Sequence, residues 1–268
     1  MKIPWFFCLN ENRDNLFLEM AKVAVASSVD CNFDRYCVYD GNNTEFESFL
    51  KDYKVTIIKH ASFFKKDMLD FVDTNLHNTY FGAYLRIDIP KIIQNLNLEV
   101  DYYLYTDCDV IFQKDPREML FSHLPKCISA AGEISRDKTT GGKMKHFNSG
   151  IMWCNAQSLA ESYDSFSNFV KAEKFKFDAC DQGALNAFYI AEKFEDELNW
   201  KPYWGINEEA SIIHFHGPKP HHFNLWLNSQ KKLTDPKIRN YGYFLNAENF
   251  KMYSHYVKMY NKVRREIL

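Results

Sequence analysis

Asp101-Tyr-Tyr-Leu-Tyr-Thr-Asp-Cys-Asp-Val-Ile-Phe112 is the stretch from which the chain is best read. Tyr102 to Thr106 is rich in aromatic residues and reads as a strand. It stops at two carboxylates, Asp107 and Asp109, and the apolar trio Val110-Ile111-Phe112 follows at once. In open α/β sheets ligands bind outside the carboxyl ends of the strands. Two carboxylates at such an end can hold a hard divalent cation through oxygen, and such an ion usually bridges substrate phosphates. A solvated turn can carry the same residues, so the rest of the chain has to decide.

Upstream, Ile3 to Leu9 has the pattern of a buried strand and runs into the polar loop Asn10-Glu11-Asn12-Arg13-Asp14. Leu16, Met20, Val23 and Ser27 then repeat at helical spacing. Arg35 to Tyr39 reads as a second strand, closed by Asp40-Gly41-Asn42-Asn43, and Val55 to Lys59 as a third after a short helix. Strand alternating with helix predicts parallel βαβ units. The fold class is therefore α/β, with a Rossmann-like, mostly parallel central sheet flanked by helices. Tyr80 to Ile87 and the segment restarted by Pro90 read as helical, and Cys127 to Ala131 and Ile151 to Asn155 as short strands. Ser158-Leu-Ala-Glu161 has capping-box spacing at the head of an amphipathic helix through Leu159, Tyr163, Phe166 and Val170.

The 268 residues suit one large domain or two small ones, and no Pro-, Gly- or Ser-rich linker divides them. We expect one domain over 1–230, its nucleotide-binding part roughly 1–115, and a helical C-terminal tail over 231–268. A hydrophobic fraction of 46% excludes wholesale disorder. The 33 basic against 35 acidic residues leave no global field for nucleic acid, so none is expected as a partner. No run approaches the roughly 20 apolar residues of a membrane span, and the N-terminal apolar run is too short for a signal peptide. Seven dispersed cysteines without a CxxC argue against a disulfide framework and for a reducing, cytoplasmic setting. In the tail, Met252, Tyr256, Met259, Tyr260 and Val263 fall at helical spacing beside Lys251, Lys258, Lys262, Arg264 and Arg265. That pattern fits either a helix packed on the domain or a peripheral contact at the inner face of an anionic membrane.

Three further segments carry chemistry. His214-Phe-His216-Gly217-Pro218-Lys219-Pro220 follows the short strand Ile212-Ile213. Its His214 can be a nitrogen ligand, Gly217 permits close backbone approach, and Lys219 can hold a phosphate. His221 and His222 make a His-rich tract, which raises zinc as a rival, without HxxxH or HExxH spacing to support it. His146-Phe-Asn148-Ser149-Gly150 has the composition of a turn before a strand, and Asp181-Gln182-Gly183 stands at a helix start, where Asp often serves as a cap.

In this order the segments resemble glycosyltransferase family 8, the retaining nucleotide-sugar enzymes that include glycogenin and bacterial lipooligosaccharide galactosyltransferases. The matching stretches are Tyr84-Leu-Arg-Ile-Asp-Ile-Pro90, Tyr103 to Asp109, Phe147-Asn-Ser-Gly150, Asp181-Gln182 and His214-Phe-x-Gly217, and with the N-terminal strand and helix the likeness spans most of 1–222. The resemblance implies a GT-A fold, a UDP-sugar donor, and Mn²⁺ (or Mg²⁺) held by Asp107, Asp109 and His214. It implies that Arg86, Asn148, Asp181 and Gln182 line the donor sugar, with Arg86, Asp181 and Gln182 carrying the catalysis. It implies that Gly217 and Lys219 meet the diphosphate, that Cys108 lies against the donor, and that Leu9 and Asn10 meet uridine. The expected activity is transfer of a hexose to a glycan or glycolipid acceptor in bacterial surface polysaccharide or lipopolysaccharide synthesis.

The chain departs from the family pattern in three places. Gly183 stands where an acidic residue or Asn is common, Lys219 lies five rather than six residues after His214 with His221 in place of Trp, and the first loop lacks the usual Asp and Tyr. No second carboxylate is evident near Gln182, which favours front-face attack over a double displacement between two carboxylates. The residues by themselves also accommodate a metal-dependent nucleotidyltransferase, a nucleotide-sugar hydrolase, or a non-catalytic sugar-binding protein. The cysteine reading is directly testable: denatured, non-reduced protein should titrate close to seven thiols, and two or more missing would contradict it.

Overall fold

A computed structural model of the chain describes residues 2–11, 16–134 and 142–267; Asn12, Arg13 and Asp14 of the first loop lie outside them. The first half runs β1 (Ile3–Asn10), α1 (Leu16–Ser27), β2 (Phe33–Asp40), α2 (Thr44–Asp52), β3 (Val55–Lys59), α3 (Lys65–Phe71), α4 (His77–Tyr84) and α5 (Ile89–Asn95). Next come β4 (Tyr102–Thr106), β5 (Val110–Phe112), α6 (Arg117–Ser122), β6 (Ile128–Gly132), β7 (Lys143–Met144), β8 (Phe147–Asn155), α7 (Ala156–Ala172) and α8 (Cys180–Phe188). The chain closes with β9 (Ala191–Lys193), β10 (Ile212–His214), α9 (Pro220–Asn228) and α10 (Phe250–Ile267).

The main sheet has the order β3-β2-β1-β4-β8-β6-β9-β7. Its first four strands are parallel, as the alternation predicts. β1 is apolar from Ile3 to Leu9 because both of its faces are covered: Trp5, Phe7 and Leu9 pack into one core with α1, and Phe6 and Cys8 into another with Tyr84 and Ile89. β8 is reversed, antiparallel to both β4 and β6. A second, two-stranded sheet pairs β5 with β10 antiparallel, setting His214 opposite Val110.

Two local readings change. Phe147-Asn148-Ser149-Gly150 is the buried first half of β8 and not a turn. Its turn-like composition serves an irregularity between Ala130 and Ala131, where the register on β6 jumps from Met152 to Asn148 and leaves Ser149, Gly150 and Ile151 without partners on that strand. The helix after β8 is capped by Asn155, whose side chain accepts from the Ser158 amide at 2.9 Å. Ser158 is thus the third residue of α7, and Glu161 instead meets Gln157 at 2.8 Å.

The C-terminal helix joins the main core. Tyr253, Tyr256, Val257 and Tyr260 of α10 are buried in the same cluster as α1, and Arg264 reaches Glu19 at 2.8 Å. The apolar stripe seen in the sequence is therefore spent on packing, while Lys251, Lys258, Lys262 and Arg265 stay exposed. No helix among the described residues is long and apolar enough to cross a membrane. All seven cysteines are free. Because Tyr256 is fully buried, Tyr256→Ala should cost about 3–5 kcal/mol, read as a lower urea midpoint; an unchanged midpoint would mean that α10 does not belong to the cooperative core.

Candidate functional site

Asp107 and Asp109 occupy the gap between β4 and β5, at the carboxyl end of a parallel strand in the middle of the sheet. The β5–β10 register brings His214 beside them. Ligand atoms of Asp107, Asp109 and His214 lie within 4.8 Å of one another. His214 Nδ1 faces Asn199 Oδ1 at 2.9 Å, and the Asn199 amide donates to Asn148 Oδ1 at 3.0 Å. That chain makes Nδ1 the protonated nitrogen and turns the Nε2 lone pair toward the carboxylates. Nε2 is 3.5 Å from Asp109 Oδ1.

The donor set fits a hard or borderline divalent cation. Asp109 Oδ1 is buried and has no hydrogen-bond partner, an arrangement that costs free energy unless a cation answers it. Burial pushes the Asp109 carboxyl up, but the Lys219 ammonium beside it holds the group well below the usual carboxylate range. Two carboxylates and one imidazole suit Mn²⁺ or Mg²⁺. Gly150 keeps the space open: a Cβ there would lie 2.3 Å from His214 Cε1 and 2.9 Å from Asp107 Oδ2. The His221 and His222 rings lie against each other with centroids 3.8 Å apart and planes tilted by 45°, and no metal-ligating cluster forms around them among the described residues.

Beside this group opens a cleft of about 590 Å³, lined among others by Leu9, Asn10, Arg86, Asp107, Cys108, Asp109 and Lys219. Lys219 Nζ contacts Asp109 Oδ2 and donates to the Phe215 carbonyl at 3.0 Å. Gly217 has φ +80° and packs on Phe244. Asn10 at the end of β1 donates to the Asn78 carbonyl at 2.8 Å. Of the sequence-derived residues, Leu9, Asn10, Arg86, Asp107, Cys108, Asp109 and Lys219 thus line one cleft, whereas Asn148, Asp181, Gln182, His214 and Gly217 are not among its lining residues.

Arg86 joins the cation group to the remaining candidates. Its guanidinium contacts Asp181 Oδ2, reaches Asp107 Oδ1 at 3.2 Å, and donates to the Ser149 carbonyl at 2.6 Å. Asp181 is therefore an ion-pair partner and no helix cap; Ala179, in the left-handed region, precedes α8. Gln182 accepts from the Ser149 amide at 3.0 Å and its hydroxyl at 3.2 Å.

The sequence reading missed four residues here. Glu133, one residue past β6, accepts from Gln182 Nε2 at 2.9 Å, Asn148 Nδ2 at 3.0 Å and His216 Nε2 at 2.8 Å. A second carboxylate therefore does stand beside Gln182. Burial raises the Glu133 carboxyl, but the His216 and Asn148 bonds overcome this and bring it down to about 2. Tyr105 donates to Asp107 at 2.7 Å, and Asn199 and His216 hold the second layer. The available signal for Glu133 was a carboxylate at the end of the strand read over Cys127 to Ala131.

Gly183 has a structural reason. Ala179 and Cys180 both have φ near +58°, and the turn brings the Asp178 carbonyl to 1.8 Å from where a Gly183 Cβ would sit.

No family model matches the sequence and no curated protein matches it; the likeness is to solved structures. The galactosyltransferase LgtC, in complex with donor and acceptor sugar analogs, superposes with a TM-score of 0.65 at 14% identity, covering 98% of this chain and 96% of that one. The apo form of the glycosyltransferase GlyE from Streptococcus pneumoniae TIGR4 gives 0.62 at 15% identity, over 99% of this chain and 63% of that one. Mouse xyloside xylosyltransferase 1, apo form, gives 0.57 at 15%, over 81% and 98%. All three are glycosyltransferases, the class that the motif order resembles, and the chain has the GT-A fold that the resemblance implies.

The Gly183 geometry yields a test. Gly183→Asp, which restores the acidic residue common at this place, should force the turn at 178–183 apart and lower the urea midpoint of the protein. An unchanged midpoint in the variant would contradict the steric account.

Proposed function

We propose that the chain is a cation-dependent, retaining glycosyltransferase of family 8 that moves a hexose from a UDP-sugar to a glycan or glycolipid acceptor. The observation that carries the proposal is the Asp107–Asp109–His214 group on the wall of the cleft, tied through Arg86 to Asp181, with Gln182 beside it. The galactosyltransferase LgtC was solved in complex with donor and acceptor sugar analogs, which supports a sugar donor and a sugar acceptor here.

The chain's own groups account for the work such a transfer needs. Mn²⁺ or Mg²⁺, held by Asp107, Asp109 and His214, would supply a Lewis acid for the diphosphate oxygens. Lys219, at the same wall, offers an ammonium where charge builds on the leaving UDP. Leu9, Asn10 and Cys108 line the same cleft, which supports Leu9 and Asn10 as contacts for the nucleoside and Cys108 as a neighbour of the donor. Arg86 fixes Asp181, and Asn148 bonds Gln182 at 3.4 Å, which supports these side chains as partners for hydroxyls of the donor sugar.

Glu133 alters the mechanistic argument made from sequence. A carboxylate is at hand, but three donors hold its two oxygens, so it serves best as a fixed negative charge beside the developing oxocarbenium ion. Gln182 is neutral and a poor nucleophile. Front-face attack then remains the favoured route to retention: the acceptor oxygen bonds to the anomeric carbon on the side that UDP leaves, and the departing phosphate takes its proton. A role in bacterial surface polysaccharide or lipopolysaccharide assembly is the setting we favour. With the apolar face of α10 buried, any contact with an anionic inner leaflet would rest on Lys251, Lys258, Lys262 and Arg265 alone.

The test is UDP release and product formation from UDP-hexoses across an acceptor panel. Chelation should abolish turnover, Mn²⁺ should restore it, and Asp109→Asn should lower kcat on the order of 100-fold or more while the protein stays folded. An α-linked donor should give an α-linked product by proton NMR. Turnover at the untreated rate after chelation, or a β-linked product, would overturn the proposal.

A further inference from the structure

Behind Glu133 lies a buried charge that the transfer reading leaves unused. Lys201 is fully buried. Its Nζ donates to the Gly132 carbonyl at 2.7 Å and stands 4.1 Å from the centroid of the Trp204 ring. Lys193, the other buried lysine nearby, has its carboxylate in Asp196 at 2.5 Å. Lys201 has none within salt-bridge reach among the described residues. The charged groups that face it are Glu133, Asp196 and Lys193.

The neighbours of Lys201 complete a pattern. Tyr203 Oη reaches the Glu133 carbonyl at 3.5 Å, and Trp204 Nε1 donates to the Ile134 carbonyl at 2.6 Å. Lys201 and Trp204 thus donate to the carbonyls of residues 132 and 134, one on each side of Glu133. Tyr203 also meets His216 Nδ1 at 2.8 Å, and His216 Nε2 meets the Glu133 carboxylate. The same short turn therefore holds the backbone on both sides of Glu133 and steadies one partner of its side chain.

We infer that the 201–204 turn is a clamp for sugar transfer, in which Lys201 is the charged positioning residue that locks the end of β6 so that Glu133 meets Gln182 and Asn148. The inference rests on the transfer reading above. A buried ammonium without a carboxylate partner is a poor choice for stability, since an apolar side chain of similar volume is often neutral or better. Its charge-assisted bond to a carbonyl is stronger than a neutral one, so the charge sharpens geometry at the expense of stability. Burial, partly offset by Glu133 and Asp196, lowers the Lys201 pKa to about 7. Above that pH the neutral amine grips Gly132 less firmly.

Linkage fixes the sign for stability. The unfolded chain keeps the Lys201 proton to higher pH than the folded one, so the wild type gains stability as pH rises above about 7. Lys201→Met should therefore unfold at a midpoint equal to or above that of the wild type at pH 6, and this advantage should shrink by pH 8. Its kcat with a UDP-hexose should fall about tenfold, while KM for the donor stays within about twofold. The ratio of wild-type to variant kcat should decrease from pH 6 to pH 8. Trp204→Phe keeps the ring under Lys201 and removes only the bond to Ile134; it should lower kcat without a pH-dependent ratio, and it tests the clamp should Lys201→Met fail to fold. Variants with wild-type kcat, or a kcat loss that merely follows lost stability, would overturn the clamp, as would a flat pH ratio for Lys201→Met. A wild type that turns over no UDP-sugar would sink the transfer reading and the clamp with it, whereas wild-type turnover with unaffected variants sinks the clamp alone.

Discussion

The guanidinium of Arg86 holds together parts of the chain that are far apart in sequence. It lies after α4, stacks near the Tyr105 ring at 5.1 Å, and bonds Asp181 at the start of α8, Asp107 at the end of β4 and the Ser149 carbonyl in β8. Arg86 and Asp181 are both buried while Asp107 is half-buried, and breaking a buried pair such as Arg86–Asp181 costs about 3–5 kcal/mol. Burial by itself would lower the Arg86 pKa; Asp181, Tyr105 and Asp107 reverse that, so the charge is secure. The planar, forked donor matters here, because a lysine could not meet three acceptors in these directions.

Around that point the backbone is arranged so that main-chain groups are free to be used. The register jump between β6 and β8 releases Ser149 and Gly150 from strand pairing. The Ser149 amide then serves Gln182, its carbonyl serves Arg86, and the Gly150 carbonyl takes the Asp107 amide at 2.7 Å. Gly150 also separates the two halves of the site, with the cation group on one side and the Asn148–Gln182–Glu133 network on the other. Asn148 spans both, since its amide donates to Glu133 and its oxygen accepts from Asn199, which orients His214.

What the sequence revealed follows from the range of the interactions concerned. The first three strands and two helices were legible because period, turn residues and apolar runs are local. Asp107, Asp109 and His214 were legible as types in an order, although their meeting depends on the β5–β10 pairing. Asn148 to Gly150 was misread because a bulge depends on the partner strand, and Asn, Ser and Gly look like a turn without it. Glu133, His216 and Asn199 stayed hidden because their roles arise from bonds to Gln182, Glu133 and His214, residues 15 to 83 positions away. The tail's periodicity was visible, but what covers its apolar face was not; α1 and the core do so.

The proposed transfer requires that the Asp107–Asp109–His214 group hold a divalent cation together with a nucleotide diphosphate. Electron paramagnetic resonance of Mn²⁺ in the presence of the protein, with and without UDP, tests it most directly. The account predicts one bound ion per chain, held more tightly with UDP and lost in His214→Ala. Mn²⁺ that stays free in the presence of UDP, or binds equally well to His214→Ala, would contradict it.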